Sequence, residues 1–474
     1  MSVKIDIKWG KELLKDLEID YSQPPEVFKM QIFSLTGVPV ERQKIMVKGG
    51  MLKDDSDWAK LGLKNGQKIM MMGTAEVIVA PEKEIQFVED LPEAAQEAAS
   101  TAQYGSGLAN LQNTCYMNST LQCLYNITDL KEKILSFDPA VAINPAHNKL
   151  TVAAKGVFQQ LGNSMGVAVD PYMFLAALRE KYPRFAETGQ NGVYSQQDAE
   201  ECYSQLMYSF REALQGASGE DPVKDILGSE LVLRLKCEES GEEYTERQLV
   251  YSLKCNITQQ VDHLQQGMKI GLQEDREKNS ESLGRLSLFK GEAKVSKLPK
   301  FQTVQFVRFF WKTNISIADG TTGVKSKILR KVSYPLILDM YDYCDDDLKA
   351  ELDVARQAMK EADDAKVLGK RKEGEAGSSN DGDVVMAEGS ENQPTPTPTR
   401  LTGHYDLVGL LTHKGRSADS GHYISYIKRA EKGDWISYDD DKPPAVQNEE
   451  DILKLSGGGD WHMAYLLVYK ARLA

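Results

Sequence analysis

The residues with the strongest chemical potential lie in two stretches far apart in the chain. The first reads Gly107-Leu108-Ala109-Asn110-Leu111-Gln112-Asn113-Thr114-Cys115-Tyr116-Met117-Asn118. Asn113 or Thr114 is a helix N-cap candidate, which puts Cys115 in the first helical turn. The free N–H groups and the dipole of that turn favour an anionic sulfur, the form that attacks carbonyl carbon. Asn110, five residues ahead of the cysteine, is placed to turn its amide toward the oxyanion such an attack creates. Cys123 lies deeper in the same helix, gains neither effect, and reads as core.

A thiol nucleophile needs a base, and six histidines are available. His422 has the most telling surroundings. The polar segment Gly415-Arg416-Ser417-Ala418-Asp419-Ser420-Gly421 feeds His422-Tyr423-Ile424-Ser425-Tyr426-Ile427, which alternates as a strand does. Gly421 leaves room for a substrate backbone beside the imidazole. A turn at 431–434 leads to a second strand at 435–438, and Asp439 follows it. A hairpin of this kind brings Asp439 beside His422, as the carboxylate that orients the imidazole of a Cys–His pair. Asp440 and Asp441 are alternatives, although a solvated acidic turn explains them more simply.

Several elements must hold these groups in place. The chain has 474 residues, enough for a large domain and a small one. Its 57 basic and 70 acidic residues leave a net charge of −13, which argues against a nucleic-acid binder relying on a general positive field. The charge is uneven: residues 76–104 carry one basic and seven acidic residues, and 342–399 carry seven and fifteen, so the remainder is close to neutral. No apolar run approaches the roughly 18 residues of a membrane span, and the alternating N-terminus is not a signal peptide. Six cysteines, Cys115, Cys123, Cys202, Cys237, Cys255 and Cys344, are too sparse for a disulfide framework and include no C-x-x-C pair. A reducing compartment and an absence of structural zinc are expected.

Residues 1–75 read as a small domain. Val3, Ile5 and Ile7 alternate with charged residues, a turn follows at Trp9-Gly10-Lys11, and residues 14–19 return as a second strand. Pro24 and Pro25 open a helix with Phe28, Ile32 and Leu35 as its apolar stripe, and Gly37 ends it. Short strands follow at 44–47 and 69–72. Residues 76–104 read as an acidic, Ala-rich flexible linker. A charged helix at 345–366 precedes a Gly/Ser/Glu-rich insert at about 367–400, expected to be disordered, which ends in a Pro-Thr repeat.

The order of strands and helix in residues 1–75, and the run Arg42-Gln43-Lys44-Ile45-Met46-Val47-Lys48-Gly49, resemble ubiquitin. No Gly-Gly tail follows the last strand, so this copy reads as an uncleavable docking module, with Met46 and Met72 near the positions of ubiquitin's apolar recognition patch. The cysteine stretch 107–122 and the histidine stretch 421–441 closely resemble the two signature segments of the ubiquitin-specific proteases. Gln196-Gln197-Asp198-Ala199-Glu200 and Val304-Gln305-Phe306-Val307-Arg308-Phe309 resemble internal motifs of that family. The N-terminal domain and the segment 451–462 look like its proteasome-associated member.

The resemblance implies an α+β architecture, with a ubiquitin-like β-grasp domain at 1–75 and a papain-like catalytic domain at 105–474 built as helical thumb, palm and β-rich fingers. It implies a deubiquitinase with Cys115 as nucleophile, His422 as base, Asp439 as orienter and Asn110 as oxyanion donor. Asp198, Gln197, Phe310, Ser420 and Gly421 are implied to contact the ubiquitin tail. Loops at 312–327 and 414–420 are implied to lie over the tail cleft and restrain the free enzyme. The expected partners are ubiquitin conjugates and, through residues 1–75, the proteasome regulatory particle. No cofactor, nucleic acid or membrane is expected. The cytoplasm is the expected setting; Lys370-Arg371-Lys372 is a weak nuclear-signal candidate that a solvated charge run explains more simply. Many family members bind zinc through paired finger cysteines, whereas Cys237 and Cys255 lack paired partners.

Overall fold

The computed structural model describes residues 2–36, 38–54, 56–74, 102–140, 142, 148–189, 192–216, 219–312, 324–375, 400–415, 420–430, 432–459 and 461–474. The chain divides into two compact units, Met1–Phe87 and Val88–Ala474.

In the first unit, alternation in Ser2–Trp9 buries Ile5 and Ile7 and leaves the charged residues outward. This strand is second in a five-stranded sheet whose order is Glu12–Asp20, Ser2–Trp9, Gln67–Met72, Lys44–Val47, Gly50–Met51. It pairs parallel to Gln67–Met72 and antiparallel to Glu12–Asp20. Helix Pro25–Thr36 buries Phe28, Lys29 and Ile32, and Ile19, Ile45, Trp58 and Ile69 complete the core. This is the β-grasp arrangement. Leu35 departs from the expected stripe, because it is 55% exposed while Thr36 is buried. The buried positions 25, 28, 29, 32 and 36 centre the contact face on the side of Phe28 away from position 35, which falls at its solvent edge.

The second unit has a helical half and a sheet half. Helices Cys115–Tyr125, Thr128–Leu135, Lys149–Asn163, Tyr172–Lys181 and Ala199–Leu214 share one core around Leu121, Phe158, Phe174 and Phe210. The main sheet has the order Ala445–Gln447, Trp435–Tyr438, His422–Lys428, Leu401–Lys414, Met463–Leu473, Phe301–Val307, Leu253–Asn256, with Ile337–Asp339 paired to Leu401–Lys414. A second sheet orders Glu243–Val250, Ser229–Cys237, Arg285–Lys297, Gln273–Ser280. The helical half, the main sheet and this second sheet correspond to thumb, palm and fingers. The cysteine helix packs against strand His422–Lys428, so the two chemical stretches meet at the seam between helices and sheet. Helix Asp346–Glu375 buries Leu348, Leu352 and Ala355 in its first turns. It continues to Glu375, past the point where the disordered insert was expected to start, and 376–399 lie outside the described residues. Of the expected linker, 76–101 also lie outside them, while Ala102–Tyr104 forms a 3₁₀ turn whose Tyr104 carbonyl accepts from Tyr438 Oη at 2.6 Å.

Arg308, within the motif at 304–309, is fully buried. Its guanidinium donates to the carbonyls of Ala464 (2.8 Å), Ile328 (3.2 Å), Arg330 (2.9 Å) and Ser456 (3.1 Å). Burial pulls its pKa down to about 10, so it stays charged at neutral pH. Three chain segments converge on this cation, and one side chain thereby sets the root of hairpin Phe309–Lys312/Val324–Lys327. Arg308→Leu leaves these carbonyls buried without a donor. It is expected to lower unfolding free energy by roughly 3–5 kcal/mol, read from the shift in denaturant midpoint; a shift equivalent to less than about 1 kcal/mol contradicts the anchoring role.

Candidate active site

Cys115 is the first residue of its helix and is 3% exposed. The turn before it is tight: Gln112 and Asn113 both have positive φ, 69° and 54°. Two such residues in succession cost strain that surrounding bonds must offset. Leu111 N donates to Thr114 Oγ1 at 2.9 Å, Asn113 Nδ2 donates to the Tyr194 carbonyl at 2.9 Å, and Thr114 N reaches Asn110 Oδ1 at 3.3 Å. Of the two N-cap candidates, Thr114 is the cap residue.

The cysteine helix is buried from residue 115 to 124 although it is rich in polar side chains. Those side chains bind the loop that leads into the helix. Asn118 Nδ2 donates to the carbonyls of Leu108 and Ala109, at 3.2 and 3.1 Å, and Gln122 Nε2 donates to that of Ser106 at 2.8 Å. Buried amide donors satisfied in this way add specificity to a core. Cys123 is 7% exposed, and burial pushes its thiol up to about 12, away from reactivity at neutral pH. The remaining cysteines are also buried and free.

His422 opens strand His422–Lys428, which pairs with Trp435–Tyr438 through Ser425↔Tyr438. Its Nε2 lies 2.5 Å from Asp439 Oδ1, and its other hydrogen-bonding partner is the Cys115 side chain. Asp439 Oδ2 accepts from Lys442 Nζ at 2.6 Å. The bond to Asp439, then the bond to Cys115, raise His422 to about 10 against the opposing cost of burial. For Asp439, burial acts upward, but the bonds from His422 and Lys442 prevail and bring it down to about 2. An imidazolium–carboxylate pair beside a sulfur thus persists across the neutral range.

Of the three candidate acids, Asp439 contacts the histidine. Asp440 stands 4.0 Å from His422 Nε2. Its carboxylate instead accepts from Asn110 Nδ2 at 2.7 Å and Asn118 Nδ2 at 2.9 Å, and its carbonyl accepts from Leu108 N at 2.8 Å. Burial raises its pKa, partly offset by the two amides. Asp440 therefore holds the loop ahead of Cys115 and aims Asn110. One N–H of the Asn110 amide is spent on this carboxylate; the other has no partner among the described residues and is the one able to serve an oxyanion. Asp441 is exposed. His422, Asp439 and Asp440 also offer ligand atoms within 4.8 Å of one another. The lone pairs a metal would need are engaged with protons from His422, Lys442, Asn110 and Asn118, which suits an imidazole–carboxylate pair.

The expected tail-contacting residues are placed as follows. Asp198 caps helix Ala199–Leu214, accepting from Glu200 N at 2.9 Å, and also accepts from Tyr465 Oη at 2.6 Å. Gln197 is buried, Phe310 is 45% exposed, and Ser420 and Gly421 are exposed. Loop residues 313–323 and 416–419 lie outside the described residues. Gly421 has a nearer reason for its identity than substrate room: its φ is +140°, and a Cβ would lie 2.1 Å from the Lys414 carbonyl oxygen. Sequence reasoning missed the contact of Gln196, whose Nε2 donates to Cys115 Sγ at 3.7 Å, and the scaffold role of Asn118 and Asp440. A visible signal was the density of amide side chains around Cys115.

A sulfur at a helix N-terminus, bonded to an imidazole that is bonded to a carboxylate, defines a papain-like thiol hydrolase. Family models described as "Ubiquitin carboxyl-terminal hydrolase" and "Ubiquitin family" match residues 106–469 and 5–76. The chain is 50% identical to Ubiquitin carboxyl-terminal hydrolase 6 of Arabidopsis thaliana, over 99% of this chain and 98% of that protein. It is 35% identical to Ubiquitin carboxyl-terminal hydrolase 14 of Caenorhabditis elegans, over 99% and 93%, and 35% identical to Ubiquitin carboxyl-terminal hydrolase 6 of Schizosaccharomyces pombe, over 100% and 99%. Among solved structures, the SAGA Ubp8/Sgf11/Sus1/Sgf73 module bound to ubiquitin aldehyde shares the fold, with a TM-score of 0.52 at 19% identity over 78% of this chain and 70% of that one. The chain belongs to the ubiquitin carboxyl-terminal hydrolase family and joins a ubiquitin-like domain to a cysteine-type ubiquitin hydrolase domain.

Proposed function

We propose that this hydrolase releases ubiquitin from conjugates held at the proteasome, with Cys115, His422, Asp439 and Asn110 performing the chemistry. The line from Cys115 through His422 to Asp439 carries the catalytic reading. Cys115 Sγ attacks the carbonyl of ubiquitin's C-terminal glycine. The second N–H of Asn110 stabilises the oxyanion, and the His422 imidazolium protonates the departing lysine amine as the C–N bond breaks. Water, deprotonated by the now neutral His422, then attacks the thioester and frees the ubiquitin carboxylate and the thiolate. Asp198, Gln197, Phe310, Ser420 and Gly421 are assigned to the tail cleft, the carboxylate of Asp198 suiting the arginines of that tail.

Docking is assigned to residues 1–75 on the strength of one surface. Met46, Met51, Met70 and Met72 are 45%, 54%, 54% and 52% exposed. Met46 is opposite Met51 on one side and Met70 on the other, so three adjacent strands carry one methionine row. Flexible thioethers fit partner surfaces of varied shape, and an exposed apolar row of this extent marks an interaction site. Met46→Asp with Met70→Asp is expected to weaken co-sedimentation with proteasomes by roughly tenfold or more while leaving ubiquitin-amide hydrolysis by the free enzyme unchanged. Undiminished co-sedimentation would refute the docking surface. The proposed setting is the cytoplasm, with the nucleus as a second compartment; six free thiols suit a reducing environment.

A further inference from the structure

Lys327 ends the second strand of hairpin Phe309–Lys312/Val324–Lys327, yet it is only 8% exposed. Its Nζ donates to the His413 carbonyl at 2.7 Å and lies 2.8 Å from His413 Nδ1. An ammonium group only donates, so Nδ1 accepts and the His413 proton sits on Nε2. His413 is fully buried, and burial, reinforced by the Lys327 charge, lowers it to about 3, which keeps the ring neutral.

His413 lies on the strand next to the catalytic strand in the main sheet. It pairs with Tyr423, and Lys414 pairs with His422. The chain returns over the imidazole so closely that a Cβ on Gly421 would lie 2.5 Å from His413 Nε2. The rings of Tyr423 and Phe309 flank it, with centroids 4.5 and 5.4 Å away. Both also pack on Tyr465, which bonds Asp198. His413 is thus a common support for the hairpin, through Lys327 and Phe309, and for the residue preceding His422.

We propose that Lys327 and His413 are positioning residues for His422. The ammonium fixes the orientation and tautomer of His413, and His413 fixes the backbone from which the base projects. Hairpin Phe309–Lys312/Val324–Lys327 is thereby coupled to the catalytic histidine. Neither residue touches the reacting atoms. The proposal rests on His422 serving as the base, and the two readings fail differently. Full turnover in His422→Ala removes the base assignment. An inactive His422→Ala beside an unaffected Lys327→Met overturns the positioning role alone.

The test uses the full-length enzyme and a fluorogenic ubiquitin C-terminal amide. Lys327→Met is expected to lower kcat about tenfold, while ubiquitin affinity, measured in a Cys115→Ala background, changes less than twofold. Lys327→Arg, which can still donate to both His413 acceptors, is expected to recover most of kcat. An unchanged kcat, or a loss confined to ubiquitin affinity, overturns the proposal. Should Lys327→Met not fold, His413→Gln against His413→Leu decides. Glutamine offers one acceptor and one donor, as the imidazole does, and is expected to keep kcat within about threefold. Leucine is expected to lose about tenfold; equal turnover in the two overturns the positioning role.

Discussion

Cys115→Ser is expected to lower hydrolysis of a ubiquitin C-terminal amide by roughly four to six orders of magnitude, and to abolish covalent capture by a ubiquitin-derived electrophile. The reason is electronic. The serine hydroxyl fits the space of the thiol, so the helix, the turn at Gln112-Asn113 and the amide bonds around it stay in place. An alcohol, however, is a far weaker acid than a thiol. The bond from Asp439, the largest cause of the raised His422, remains in the variant and keeps the imidazole biased toward its protonated form, which makes it a poor base for the hydroxyl nucleophile. Turnover within tenfold of the parent enzyme would show that another group attacks. Cys123 is excluded from that role by the burial that pushes its thiol up to about 12.

Asp439→Asn carries the second large effect, which appears most clearly in the pH profile. The bond from Asp439 is the largest contribution to the raised pKa of His422. The His422 contribution is fully present below the unfolded imidazole value near 6.5 and is lost as pH rises through about 10. The Asp439 contribution is present above the ordinary carboxylate value of 3.8 and is lost as pH falls through about 2. Within that window the leaving amine meets a proton donor. Removing the carboxylate charge is expected to cost kcat about a hundredfold or more and to move the alkaline limb of kcat/KM from near pH 10 toward neutrality. Asp440→Ala provides the contrast. It removes the acceptor that aims Asn110, so a loss on the scale of an oxyanion donor, about a hundredfold, is expected with the alkaline limb in place. An unmoved alkaline limb in Asp439→Asn would exclude Asp439 as the orienting acid.

Much of the site was legible because its signals are local. The cap before Cys115 and the flanking residues of His422 are properties of a few neighbouring positions, and backbone geometry converts them directly into a helix start and a strand. The hairpin of His422–Lys428 with Trp435–Tyr438 followed from alternation and a turn. The preference for Asp439 came from its place directly after the second strand, but the role of Asp440 was not legible, because a linear chain does not show which amides a carboxylate will meet. Asp440 has a φ of +50°, and this bend sends successive side chains in different directions: Asp439 to the imidazole, Asp440 to the amides of Asn110 and Asn118.

The same division runs through the molecule. By itself the sequence determined the order of elements, a candidate sulfur and a candidate base, and the β-grasp domain, since each depends on short-range pattern. Tertiary structure decided the partners of groups tens to hundreds of positions apart. Arg308 gathers carbonyls from three segments, Asp440 holds Asn110, Lys327 supports His413, and Asp198 acts as a helix cap bonded to Tyr465. It also decided that the polar cysteine helix is buried. Hydropathy assigns such residues to solvent. Only the folded chain brings up the loop carbonyls and the carboxylate that make their burial favourable.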